Sequence, residues 1–328
     1  MAEFNPPPLL RNPHSQTLIA STAPRRLPLL WRTRDLRAAA RDIILDCGDG
    51  VRLHGLYNPH PAPGLGLAIL IHGWEGSGDS AYLLSNAQSL YAAGYSVFRL
   101  HLRDHGPSHA LNRELYHSAR LQEILDALLE IQRRFPHVRT VLAGHSLGGN
   151  FSLRVAARAT RAGIALDRVV AICPVLDPAH TMRRLMEGSF IYHQYFLRKW
   201  KHSLRTKLQH FPELGYGKDL LALRTLDEMN AFFVPRYTNF ENVATYFEAY
   251  AVTGDVLANL DVPTHIILSR DDPMIPAADL ERVARPPALV IETPAHGGHC
   301  GFLASWRLDG WIDQRLVELL QPSPPTFP

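Results

Sequence analysis

The sequence predicts an α/β fold: a mostly parallel central sheet with helices on both faces and an inserted helical cap. Three observations carry this. From Leu67 onward, short apolar runs of β type alternate with amphipathic patterns of helical period, the rhythm of parallel strands joined by crossover helices. That rhythm stops at Pro174 and resumes at Thr264, and the intervening residues carry helical patterns without convincing strands. Finally, Gly144, His145, Ser146, Leu147 and Gly148 spell G-x-S-x-G between an apolar β run and a helical pattern, the context of a nucleophile elbow rather than of a chance pentapeptide.

The elements follow in order. Arg41 to Cys47 and Val51 to Tyr57 flank Gly48, Asp49 and Gly50, a hairpin signal that opens the sheet with antiparallel strands. Strands are expected at Leu67 to Ile71, Tyr95 to Leu100, Thr140 to Ala143 and Arg168 to Cys173, with helices at Ala81 to Ala93, Leu115 to Phe135 and Asn150 to Ala162. Thr264 to Leu268 and Ala288 to Ile291 complete the sheet. The division reads as a Pro-rich arm packing on the core at 1–39, a core at 40–174 and 260–320, and a helical cap at 175–259. Residues 190–250 hold 14 of the 29 aromatics. A small helical cap needs large side chains to build any core, so most are expected there, with some lining an apolar pocket. The Pro-rich end from Gln321 to Pro328 is expected to be poorly ordered.

Composition narrows the partners. The 328 residues carry a net charge of +3 with the two signs mixed, so no basic stripe suggests nucleic acid. Cys47, Cys173 and Cys300 form no paired spacing, which speaks against a disulfide framework or a structural zinc site and for a reducing, cytoplasmic setting. The N-terminal Pro cluster interrupts any secretory apolar stretch. The longest apolar run, Leu65 to Ile71, is far short of the roughly 20 residues of a membrane span, which leaves peripheral membrane contact as the one membrane association open. Oligomeric state is not legible.

A serine hydroxyl attacks only when a base within hydrogen-bond reach takes its proton and a third group orients that base. In this architecture the chain order is Ser, then acid after a late strand, then His after the next. The strand at Thr264 to Leu268 runs into Asp271 and Asp272. Asp272 is the expected acid, because its D-x-x-x-P spacing to Pro276 turns the loop back toward the histidine, and Asp271 is the alternative. After the last strand come His296 and His299; His299, between Gly298 and the apolar Gly301, Phe302 and Leu303, is the expected base. The oxyanion that forms on attack needs two backbone N–H donors. Leu147 supplies one, and the loop after Leu67 to Ile71 supplies the other, for which Trp74 is the candidate, with Gly73 allowing close approach and Glu75 bracing the loop. His101, Asp104, His105 and His109 have a spacing that resembles metal ligation, but Gly106 and Pro107 break any helix that could gather them, so they are expected as loop residues near the site entrance.

The motifs NPHSQTL (Asn12 to Leu18), HGWEGSGDSAY (His72 to Tyr82), GHSLGGN (Gly144 to Asn150), DDPMIP (Asp271 to Pro276) and GGHCGFL (Gly297 to Leu303) span nearly the whole chain. On them, the sequence resembles the α/β-hydrolase superfamily and, more narrowly, its YheT-like subfamily. That resemblance implies an α/β-hydrolase fold, a Ser146, His299, Asp272 relay and hydrolysis of carboxylic esters of short to medium acyl chain, small or lipid-like, with no metal or organic cofactor. An acyltransferase or thioesterase would use the same relay, and a non-catalytic binding module would share the fold. Asp104 stands where superfamily members often carry Gly.

Overall fold

The computed structural model describes residues 4–62 and 64–322; the predicted disordered end lies from 323 onward outside the described residues. The N-terminal arm is largely helical: α1 (Pro13–Ser21), α2 (Ala23–Arg32) and α3 (Arg34–Ala38). Pro13 and Pro24 stand in the first turns of α1 and α2, and Pro28 lies inside α2. Pro13 occupies the first turn of α1 behind Asn12, whose side chain accepts from the amides of His14 and Ser15 at 2.9 and 3.1 Å, a position where a missing N–H costs nothing.

β1 (Arg41–Asp46) and β2 (Arg52–Asn58) form the expected hairpin. The remaining elements are β3 (Gly66–Ile71), α4 (Ala81–Ala92), β4 (Tyr95–Leu100), α5 (Leu121–Arg134), β5 (Thr140–His145), α6 (Leu147–Ala156) and β6 (Arg168–Ile172). Five helices follow, α7 (Pro178–Glu187), α8 (Phe190–His210), α9 (Gly217–Ala222), α10 (Leu226–Tyr237) and α11 (Val243–Glu248), before β7 (Thr264–Ile267), β8 (Leu289–Glu292) and α12 (Trp311–Leu320). The eight strands make one sheet of order β1-β2-β4-β3-β5-β6-β7-β8, antiparallel at β1–β2 and β2–β4 and parallel thereafter.

Alternate residues of the central strands feed two cores. Ala68, Leu70, Val97, Val141, Ala143 and Val170 pack with Leu83 and Leu90 of α4 and Leu316 of α12. On the other face Leu67, Ile69, Ile71, Phe98 and Leu142 meet Ile124 and Leu128 of α5 and Phe151 and Val155 of α6. β3, β4 and β5 are buried along their whole length, which is why their sequences are mostly apolar, with Ser96 and Arg99 as buried polar exceptions in β4.

Two helix boundaries depart from the sequence pattern. α5 starts at Leu121, not at Leu115, because carbonyls that would begin its ladder are taken by arginine side chains: Leu115 O by Arg120 Nε at 3.0 Å and Ser118 O by Arg154 Nη1 at 2.8 Å. α6 starts at Leu147, not at Asn150, and ends at Ala156. Its glycines read as loop, yet they form the first helical turn, where contact with neighbouring backbone leaves no room for a side chain.

Candidate active site

The bend between β5 and α6 positions the nucleophile candidate. Ser146 has φ 53° and ψ −117°, a strained conformation for a residue with a side chain, and its N–H is held by Ile172 O at 2.8 Å. The flanking glycines are required by close approach: a Cβ on Gly144 would lie 2.2 Å from Gly148 O, and one on Gly148 would lie 2.4 Å from His72 O and Ile71 O. The bend therefore thrusts the Ser146 hydroxyl beyond the carboxyl edge of the sheet, where open α/β sheets place their ligands.

The other candidates arrive from the ends of β7 and β8. His299 Nε2 stands 3.0 Å from Ser146 Oγ, and its Nδ1 stands 2.8 Å from Asp272 Oδ2. Asp272 Oδ1 accepts from the amides of Met274 and Ile275 at 2.8 and 2.9 Å, so the carboxylate is fixed on both oxygens and its side chain is fully buried. Burial opposes a charge on His299, but the adjoining Asp272 carboxylate prevails and its pKa is pushed up to about 9. Asp271, the alternative acid, faces elsewhere: its Oδ1 accepts from Gly298 N at 2.9 Å and its Oδ2 lies 3.6 Å from His296 Nδ1. Asp271 and His296 thus brace the loop that carries His299.

The β3 loop supplies the Trp74 amide. Neither Trp74 N–H nor Leu147 N–H is engaged by a protein acceptor among the described residues. Gly73 lies against the nucleophile, since a Cβ there would meet Ser146 Cβ at 3.1 Å. Buried imidazoles hold this loop. Glu75 N–H donates to His105 Nε2 at 3.0 Å, Gly78 N–H to His101 Nε2 at 2.7 Å, and Gly73 N–H to Tyr82 OH at 2.9 Å. Burial and the neighbouring rings drive the pKa values of His72 and His101 down to about 3, so both rings stay neutral and His101 can accept. The loop is braced through the Glu75 backbone; burial pushes its carboxyl up to about 8.

His101, His105 and His109 are buried behind the Trp74 loop rather than at an entrance. His109 Nε2 lies 2.9 Å from Ser203 Oγ, so all three rings are spent on bracing. Asp104 takes φ 56°, the left-handed region that favours glycine. It is held there by Lys207 Nζ on Oδ1 at 2.7 Å and by Tyr116 N–H on Oδ2 at 2.9 Å. Among the described residues, the side chains close enough to share an ion are Cys173, His299 and Cys300.

Three anchors carry no signal in the local sequence pattern. Thr17 Oγ1 of α1 accepts from His299 N–H at 2.9 Å, and the fully buried Gln16 clamps Leu303, donating to its carbonyl at 3.2 Å and accepting from its amide at 2.7 Å. Asn150 of α6 donates to Val175 O and Tyr250 O at 2.9 and 2.7 Å, tying the bend to the helical segment. For Gln16 and Thr17 the only available hint is the NPHSQTL motif itself.

Ser146, Leu147, Trp74 and His299 open onto a cavity of about 740 Å³, counting its mouth, walled by Phe196 and Trp200 of α8, Tyr246, Tyr250, Met182, Leu185 and Ile275. Trp74 stacks on Phe196 at 5.1 Å with an interplanar angle of 7° and meets Trp200 edge-on at 5.4 Å. The aromatics of 190–250 divide as expected: some wall the cavity, while Tyr216, Phe233 and Tyr237 pack on one another within the helical segment. No helix among the described residues is long and apolar enough to cross a membrane.

Comparison with known proteins agrees with this architecture. The chain is 27% identical over 332 residues to the Escherichia coli (strain K12) protein named "Putative esterase YheT", covering 97% of this chain and 93% of that one. Among solved structures, the Pyrococcus furiosus esterase Pf2001 superposes with a TM-score of 0.57 at 17% identity, over 88% of this chain and 92% of that one. Est1E from Butyrivibrio proteoclasticus, bound to ferulic acid, gives 0.53 at 18% identity, over 84% and 96%. At these identities the structural likeness speaks to the fold. Residues 68–304 match the profile of the alpha/beta hydrolase fold, and with most of its length so matched the chain belongs to that family.

Proposed function

We propose that the protein hydrolyses carboxylic esters of short to medium acyl chain through a covalent acyl-serine. The observation that carries this reading is one imidazole bonded at both nitrogens, to Ser146 Oγ at 3.0 Å and to Asp272 Oδ2 at 2.8 Å, beside a largely apolar cavity. Ser146 Oγ attacks the ester carbonyl while neutral His299 takes its proton at Nε2. Asp272 stabilises the imidazolium and fixes the tautomer, since its carboxylate only accepts and so keeps the proton on Nδ1. The Trp74 and Leu147 amides hold the oxyanion; one such donor is worth about 10²- to 10³-fold in rate. His299 then returns the proton to the leaving alkoxide. Water, deprotonated by the same ring, attacks the acyl carbon, and the ring returns that proton to Ser146 Oγ as the acid leaves.

The helices of 175–259 act in this reading as a cap. Trp200, Phe196, Tyr246 and Tyr250 line the space an acyl or alcohol group would fill, and apolar walls of this kind favour a hydrocarbon chain over a charged one. The relationship to a protein named as an esterase supports ester substrates. Ser146→Ala should abolish turnover of p-nitrophenyl esters and labelling by a fluorophosphonate while the far-ultraviolet dichroism is unchanged. Retained turnover in that variant would reject the mechanism. A panel of esters graded by acyl length, run with and without a competing alcohol or thiol acceptor, reads the preferred chain and separates hydrolysis from acyl transfer.

A further inference from the structure

Beside His299 lie two thiols that the relay does not use. Cys173 follows β6 and Cys300 follows His299; they are 0% and 6% exposed. Both hold positive φ, 44° and 58°, conformations that residues with side chains adopt only where the surroundings impose them. The two sulfurs and a ring nitrogen of His299 lie within 4.8 Å of one another. For any three points so spaced, some position lies within about 2.8 Å of all three, and a zinc ion needs about 2.3 Å to sulfur and 2.0–2.1 Å to nitrogen. The distances are therefore within an ångström of a closed site, and closing it takes a turn of the His299 ring away from one of its two partners.

A second imidazole, His145, adjoins Cys300. His145 is 1% exposed, and its Nδ1 finds no nitrogen or oxygen partner. Its tautomer follows from the surroundings. Asn86 Nδ2 donates to Asp313 Oδ1 at 2.6 Å, which turns Asn86 Oδ1 toward His145 Nε2, also at 2.6 Å. Nε2 must therefore carry the proton, which leaves Nδ1 as an acceptor for the adjoining Cys300 thiol. An imidazole anchored through one N–H, with its other nitrogen turned to a thiol, can exchange that thiol proton for a metal. Two thiols and two imidazoles are also the donor types of tetrahedral zinc.

We propose that Cys173, Cys300 and His299, with His145 beside them, bind a thiophilic divalent cation such as zinc, and that this binding silences the relay. The thiols bind as thiolates and release their protons to solvent. Exclusion of turnover follows from geometry, because both His299 nitrogens are already committed, Nε2 to Ser146 and Nδ1 to Asp272. A metal on either one removes the base from the serine or from its orienting acid.

The test uses the full chain, freed of metal by a chelator. Cobalt(II) is expected to give, at one equivalent, the charge-transfer absorption of thiolate-bound cobalt, a readout that does not require the protein to be a hydrolase. X-ray absorption of the zinc-loaded wild type should show two sulfur neighbours at about 2.3 Å, and needs no variant to fold. One equivalent of zinc should abolish ester turnover and chelator should restore it. In Cys173→Ser the cobalt band should weaken and the zinc effect should move to higher concentration, with turnover in chelator retained. A zinc shell of nitrogen and oxygen alone, or zinc inhibition unchanged in Cys173→Ser, would overturn the proposal.

Discussion

Replacing Lys207 by Met tests how the helical segment holds the oxyanion loop. Lys207 is 1% exposed, sits on α8, and reaches Asp104 Oδ1 at 2.7 Å while also donating to the carbonyls of His109 at 3.3 Å and of Asn112. At an effective dielectric of about 20, charges at that separation attract by about 6 kcal/mol, a gain that mainly repays the cost of taking both ions out of water. Deleting one partner leaves that cost without its return. The Asp104 carboxylate, 6% exposed, would keep only the Tyr116 amide, and removing one member of such a pair costs about 3–5 kcal/mol. Lys207→Met should therefore lower the free energy of unfolding by about that amount in a urea titration at unchanged slope. Asp104→Asn added to Lys207→Met should recover most of the loss, since the amide needs no counter-charge yet its oxygen still accepts from Tyr116. The folded fraction of the single variant should also turn over more slowly, because His105 next door holds the Glu75 amide beside Trp74. A loss below about 1 kcal/mol, or an equal loss in the double variant, would refute the view of Lys207 as the neutralising partner of a buried carboxylate.

Other expectations concern the relay and its supports. Asp272→Asn should lower kcat by about 10⁴-fold with little change in KM, as removal of the orienting carboxylate does in other serine relays; p-nitrophenyl acetate kinetics would read it. Because turnover needs neutral His299 and its pKa is pushed up to about 9, kcat/KM of the wild type should be suppressed at acid pH and climb as pH rises through that region; a profile already flat above pH 6 would contradict the assignment. Gly148→Ala should abolish turnover and destabilise the fold, the new methyl colliding with His72 O at 2.4 Å, and soluble, active protein would show that the bend has room to spare. Thr17→Val removes the acceptor of the His299 amide, a hydrogen bond worth about 1 kcal/mol, so kcat should fall several-fold while KM holds and the melting temperature moves by only a few degrees.

What the sequence made legible, and what it hid, divides by the range of the physics involved. Ser146, Asp272 and His299 could be picked out one by one because each follows an apolar run long enough to read as a strand, and in this architecture the ends of parallel strands meet at one edge. Chain order then does the work of geometry. Asp271 against Asp272 was the harder choice, decided in space by which carboxylate the turn at Met274 and Ile275 captures through its amides. In the arm the sequence marks one helix start, where Asn12 caps α1 ahead of Pro13, but not the helical course of the rest, in which Pro28 lies inside α2. The anchors that make the site rigid are different in kind. Thr17 and His299 are 282 positions apart, and Lys207 and Asp104 are 103 apart. A threonine on a short helix or a lysine on a long one looks solvent-facing by every local measure. Whether a charge is buried is settled by the partner that arrives from elsewhere, because burial without that partner would cost more than the helix gains. Asp104 shows the same limit: a residue with a side chain at φ 56° needs something distant to hold it there, and what does so is the Lys207 ammonium, one of several positive charges on α8 that no local measure tells apart.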